Sequence, residues 1–176
     1  MVAITALQFA VPAFSASTDP KATYIATTEK AESDYKLAHA RCDRMTGIGQ
    51  NLCIARAKAA QTQAESTATA VYKDTPEARA VARIDIADAN FEVEKAKCES
   101  QYDKPRDVDL CVKKPEATMA AEKKNAIADK KIAEAKSSAN DDKQTANYIV
   151  AIKKCDALNG DQKDDCVTSV KKQFGK

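Results

Sequence analysis

The chain has 176 residues, enough for one domain or a short repeat array, and its 28 basic and 26 acidic residues are interleaved along its length. That mixture reads as solvated helix faces and excludes the one-sided basic stripe by which proteins hold nucleic acid. Thirty-four alanines, no tryptophan and only nine Phe plus Tyr also exclude an ordinary core of bulky side chains, since each core leucine replaced by alanine forfeits roughly 2–2.5 kcal/mol of burial.

Residues 1–16 carry no charge, and the first lysine is Lys21. A short apolar run ending in small residues, here Ala13-Phe14-Ser15, reads as the h-region and cleavage region of a secretory signal. The basic n-region is missing, which points to a truncated signal. The run is too short, and too interrupted by Gln8 and Pro12, to be a transmembrane helix. No cysteine stands at the cleavage region to carry a lipid.

Asp19-Pro20 offers an N-cap and a first-turn proline, and the pattern predicts a helix over 20–45. Its stripe is Tyr24, Ala31, Tyr35, Ala38, Cys42 and Met45. Gly47 and Gly49 break it. A second helix is predicted over 51–72. Thr75-Pro76 then caps and starts a third, which carries Ile84, Phe91 and Cys98 and stops near 101–105. A fourth is predicted from Pro115 to about Ser137. The polar run 138–142 reads as a break but lacks Pro and Gly, so a continuous helix is the alternative there. The fifth helix carries Tyr148, Ile152 and Cys155. Asn159-Gly160 is a turn, and the sixth carries Cys166, Val167, Val170 and Phe174.

The six cysteines fall into three local pairs. Cys42 and Cys53 are 11 apart, Cys98 and Cys111 are 13 apart, and Cys155 and Cys166 are 11 apart. An aromatic residue stands seven positions before each leading cysteine: Tyr35, Phe91 and Tyr148. This is an internal repeat. It predicts an all-α fold of about six helices: three tandem antiparallel hairpins over 17–75, 76–140 and 141–176, each stapled by a disulfide at its turn. Six cysteines allow 15 connectivities, and the repeat selects near-neighbour pairing. The three aromatics, two turns below each bridge on the same face, are the expected packing anchors. Thr75–Pro76 lies midway between Cys53 and Cys98, as equal hairpin arms require. The midpoint of Cys111 and Cys155 is Ala133, before the suspected break, which favours the continuous alternative.

Chemistry-bearing patterns are sparse. Cys-x-x-Cys, the spacing of a thiol redox site, does not occur. The sole histidine, His39, lies three before Cys42, but a fourth ligand to complete a zinc site with Cys53 is not evident. The acidic turn at 159–165 lacks the alternating ligands of an EF-hand; Asp161 suits an N-cap, with Asp164 and Asp165 near the helix dipole's positive end. No Ser/His/Asp set or paired carboxylates suggest a catalytic centre, so the sequence predicts no enzyme, no metal and no cofactor.

The unit Tyr35…Cys42-Asp43…Cys53-Ile54, Phe91…Cys98-Glu99…Cys111-Val112 and Tyr148…Cys155-Asp156…Cys166-Val167 resembles exported, uncharacterised Ala/Lys-rich bacterial helical proteins with repeated cysteine pairs, often labelled TolA-like. The resemblance implies a cell-envelope location, periplasmic or extracellular, and no defined activity. The middle copy departs from it: its turn is two residues longer and carries Pro105, and Pro115 follows Cys111. The expected function is a non-catalytic envelope module that binds a protein partner or itself. The alternatives are a ligand- or metal-binding protein and a holdase-like stress protein acting on unfolded clients.

Overall fold

The computed structural model describes residues 19–176, so the segment read as an export signal lies outside the described residues. Five helices follow in order: α1 (Pro20–Cys42), α2 (Gly47–Lys73), α3 (Pro76–Gln101), α4 (Pro105–Cys155) and α5 (Asp161–Gln173). There are no strands among the described residues.

Local chemistry sets most of these ends. Asp19 caps α1 by accepting from the Lys21 N–H at 2.9 Å, and Thr75 caps α3 by accepting from the Ala78 N–H at 3.0 Å. Pro20, Pro76 and Pro105 occupy first-turn positions, where the missing N–H costs nothing. Lys73 is followed by Asp74 in the left-handed region, φ 46°. Asp tolerates that region better than most residues, and the 2.6 Å pair with Arg79 holds its carboxylate in place.

The first and third turns are built alike. Asp43 and Asp156 follow the leading cysteine with almost the same backbone, φ −63°, ψ −17° and φ −65°, ψ −17°. The Met45 N–H donates to the Cys42 carbonyl and the Leu158 N–H to the Cys155 carbonyl. Five residues after each leading cysteine comes a glycine at positive φ, Gly47 at 64° and Gly160 at 56°. A Cβ at either would meet nothing within 4 Å, so the demand for glycine is conformational and not steric.

Among the described residues the helix count is five, not six. The suspected break at 138–142 is helical, because nothing in it removes a backbone donor or demands a left-handed residue. Consequently the boundary between 140 and 141 falls inside α4. This helix also begins ten residues earlier than expected, at Pro105. Pro115, expected at its start, is inside it. There it deletes the bond to the Cys111 carbonyl, a cost of about 3 kcal/mol in a free helix. The bridge to Cys98 anchors that same residue, Cys111. At the first turn, α1 stops at Cys42 and α2 starts at Gly47, which shortens the connection.

Packing is strictly sequential. Helix α1 touches α2, α2 touches α3, α3 touches α4 and α4 touches α5, and no other helix pair among the described residues is in contact. The result is an open antiparallel bundle, a folded row of helices that does not close on itself. Among the described residues its buried interior holds eight alanines and three cysteines, Cys42, Cys98 and Cys155, and no larger apolar side chain. Helix α3 turns Ala78 and Ala82 toward α2, and Ala80 and Ala87 toward α4. Small side chains of this kind let the backbones of neighbouring helices approach closely.

Two outcomes test this account. Substituting Ala126, 1% exposed, with leucine overfills the α3/α4 seam and lowers stability by about 1–3 kcal/mol in chemical denaturation. Breaking the third bridge with Cys155→Ser and Cys166→Ser removes about 3 kcal/mol of loop-closure stabilisation. Because α5 buries no residue of its own, its helical circular dichroism disappears while that of α1–α4 remains.

Candidate functional site

The three disulfides close as near neighbours: Cys42–Cys53, Cys98–Cys111 and Cys155–Cys166, with Cα separations of 5.5, 5.7 and 5.7 Å. These separations are ordinary for a cystine. No cysteine is free. Each bridge ties the last turn of a helix to the first turns of the next, and the leading cysteine is buried every time, at 1%, 3% and 0% exposure. Cys42 and Cys155 are the largest fully buried side chains among the described residues.

Each bridge also sets the register of its hairpin. Tyr24, 18 residues before Cys42, stacks on Tyr72, 19 residues after Cys53, with centroids 4.9 Å apart. Tyr35, seven before Cys42, lies under the Lys58 ammonium, five after Cys53, at 5.5 Å. In the third hairpin Tyr148, seven before Cys155, meets Phe174, eight after Cys166, edge to face at 5.7 Å. Phe91 lines the α3/α4 groove with Pro115 and Met119. All three repeat aromatics, Tyr35, Phe91 and Tyr148, therefore face the partner helix of their own hairpin, and all three are half-buried.

The α3/α4 seam carries an ion-pair ladder that sequence reading missed. Glu77 pairs with Lys130, Asp88 with Lys123, and Arg83 reaches Asp129 at 2.6 Å and Glu122 at 3.7 Å. The signal was present. Glu77 lies 21 residues before Cys98 and Lys130 lies 19 after Cys111; Asp88 lies 10 before and Lys123 lies 12 after. Counting outward from the bridge finds these pairs once near-neighbour pairing is accepted.

Protonation is displaced at surface ion pairs. A hydrogen bond from Lys36 holds Glu32 below the ordinary carboxylate range, and the Asp129 and Glu77 carboxylates raise Arg83 and Lys130. At the third turn the Lys163 ammonium, 3.1 Å away, holds Asp156 below its ordinary value by hydrogen bonding and then by charge, with Lys153 adding to it.

Open grooves run between the helices. One, about 620 Å³, lies between α1 and α2 over Tyr24, Ala64, Val71 and Tyr72. Another, about 560 Å³, lies between α2 and α3, with Lys58 on one wall and Asp85, Asp88 and Glu92 on the other. Two of these carboxylates have structural partners: Asp88 pairs with Lys123, and Asp85 accepts from the Ser66 hydroxyl at 3.3 Å. No cluster of three or more His, Cys, Asp or Glu side chains among the described residues could hold a metal ion. His39 Nδ1 lies 3.2 Å from Asp43, and its neighbour Cys42 is consumed in a cystine, so no thiolate is available beside it. No helix among the described residues is long and apolar enough to cross a membrane. No protein-family model, curated protein or solved structure matches the chain.

The Asp156 pair has a pH consequence. A carboxylate whose folded value is depressed stabilises the fold above its unfolded value and loses that contribution as pH falls through the folded one. The third hairpin therefore loosens as the solution is acidified below the usual carboxylate range. Asp156→Asn removes this part of the acid dependence, as thermal melts recorded across that range register.

Proposed function

We propose that this chain is a non-catalytic, exported protein of the cell envelope, periplasmic or extracellular, that works as a stapled helical module for interaction with a protein partner or with further copies of itself. The observation that carries the reading is the interior itself: three local cystines embedded among alanines. Cystines of this kind persist in an oxidising compartment and are rare where thiols are kept reduced. A protein whose interior lacks bulky side chains depends on its covalent ties, so the reading links folding to export.

The interaction half of the proposal rests on the open row. Neither flank of the inner helices is sealed by a second layer, and side chains such as Leu37, Val71, Leu110 and Val150 stand more than half exposed. Helices of this kind offer length and surface, and the grooves between them are open. Rigid presentation of helical faces is the task such a scaffold performs best.

The test is made on protein taken directly from cells with thiols trapped at lysis. Non-reducing peptide mapping should yield the three near-neighbour bridges and no alkylated cysteine. Light scattering on the same material should give a mass above that of one chain, or crosslinking in intact cells should capture a protein partner. Free thiols in that material would overturn the export reading. A strictly monomeric protein with no crosslinked partner would overturn the interaction reading.

A further inference from the structure

Helix α4 spans 51 residues, yet its neighbours cover only its two ends. Its N-terminal half lies against α3 as far as Lys130 and Ala133, near the start of α3. Its C-terminal end, from Tyr148 to Cys155, lies against α5. Ala126 and Cys155 are both buried and eight turns apart, so α3 and α5 sit on the same side of α4 with a gap between them. Every residue from 134 to 147 is exposed. This stretch is roughly 21 Å of helix with no neighbour among the described residues.

Among the described residues, nothing but its own backbone ladder holds it. Glu134 reaches back to Lys130 at 3.9 Å, and no side chain from 135 to 147 makes a hydrogen bond or ion pair among the described residues. Half of the stretch consists of weak helix formers: Ser137, Ser138, Asn140, Asp141, Asp142, Thr145 and Asn147. Their short polar side chains compete for backbone hydrogen bonds. A helix of about this length without packing is marginal in water. Opening it breaks no tertiary contact, whereas opening any other helix breaks a seam.

The crosslinks add a topological fact. The α1/α2, α3/α4 and α4/α5 turns all lie inside disulfide loops, so a chain cut there stays joined. No disulfide spans 134–147. The remaining connection outside a disulfide loop, between α2 and α3, is the two-residue Asp74-Thr75 turn, which is capped at both sides and braced by Arg79.

We infer that residues 134–147 form a cleavable joint: this stretch opens before the packed helices, and a protease that cuts after lysine there releases the C-terminal hairpin as a separate unit that keeps its bridge. Lys136 and Lys143 supply the basic side chain. Water adds across the Lys143–Gln144 peptide bond, leaving a carboxylate on Lys143 and a free amine on Gln144; the Lys136–Ser137 bond reacts in the same way. The joint divides the molecule into an N-terminal body with two staples and a C-terminal hairpin with one.

Brief trypsin digestion of the unreduced full chain, followed by intact-mass measurement and size exclusion without reductant, tests this. The first released pair of fragments should meet at Lys136 or Lys143 and separate on the column. Replacing both Ser137 and Ser138 with alanine, on the exposed stretch and away from every seam, should slow that first cut about fivefold, and Ala139→Gly should speed it by a similar factor. In amide hydrogen exchange of the intact chain, 134–147 should exchange faster than any other helical stretch of its length. A first release at Lys73, fragments that stay together without reductant, or a cutting rate that ignores both sets of substitutions would each overturn the joint.

Discussion

An antiparallel pair of alanine-faced helices has no strong preference for one register over the next, because sliding by a turn exchanges one methyl group for another. The cystine removes that freedom. It fixes two backbones at a Cα separation of 5.5–5.7 Å in all three hairpins, and everything further along the arms is then set by counting. The stacked Tyr24 and Tyr72, the Lys58 ammonium over Tyr35, the Tyr148–Phe174 contact and the Glu77–Lys130 pair all lie at nearly equal distances on either side of a bridge. In the chain-entropy view the bridge acts chiefly on the unfolded chain. In this molecule it also selects among folded alternatives.

Once register is pinned, each seam is completed by different chemistry. Helices α1 and α2 use aromatic and cation–π contacts, α2 and α3 use close alanine packing with a single Ser66–Asp85 hydrogen bond, and α3 and α4 use the ion-pair ladder. Surface pairs contribute little singly, and somewhat more when they form a network around one guanidinium, as Glu122 and Asp129 do around Arg83. These side chains confer specificity on seams whose cohesion comes from small apolar groups and covalent closure.

The sequential contact pattern carries over into dynamics and function. A row in which each helix touches only its neighbours resembles a repeat array, where stability is a sum of units and nearest-neighbour seams. Such a chain does not unfold as one block. The length of α4 from 134 to 147 is exposed among the described residues, whereas three of the turns are stapled. The proposed display of helical surface and the inferred joint both follow from this sequential arrangement.

Much of this was legible in the chain. Cysteine spacing, the aromatic seven positions ahead, and the Gly and Pro punctuation are local signals, and they yielded the all-helical class, the pairing of six cysteines and the positions of the tight turns. The caps at Asp19 and Thr75 were equally local. The proline pair misled: Pro115 reads as a helix start, but it lies inside α4, four residues after the bridged Cys111 and in a groove with Phe91 and Met119. Whether 138–142 breaks could not be decided by composition alone, since weak helix formers without Pro or Gly continue a helix when both ends are held in one. The openness of the row was decided by tertiary structure. Alanine periodicity says which face is buried, but the choice between a closed bundle and a row depends on how far each hairpin rotates about the last, and that angle is set by the contacts of one seam with the next.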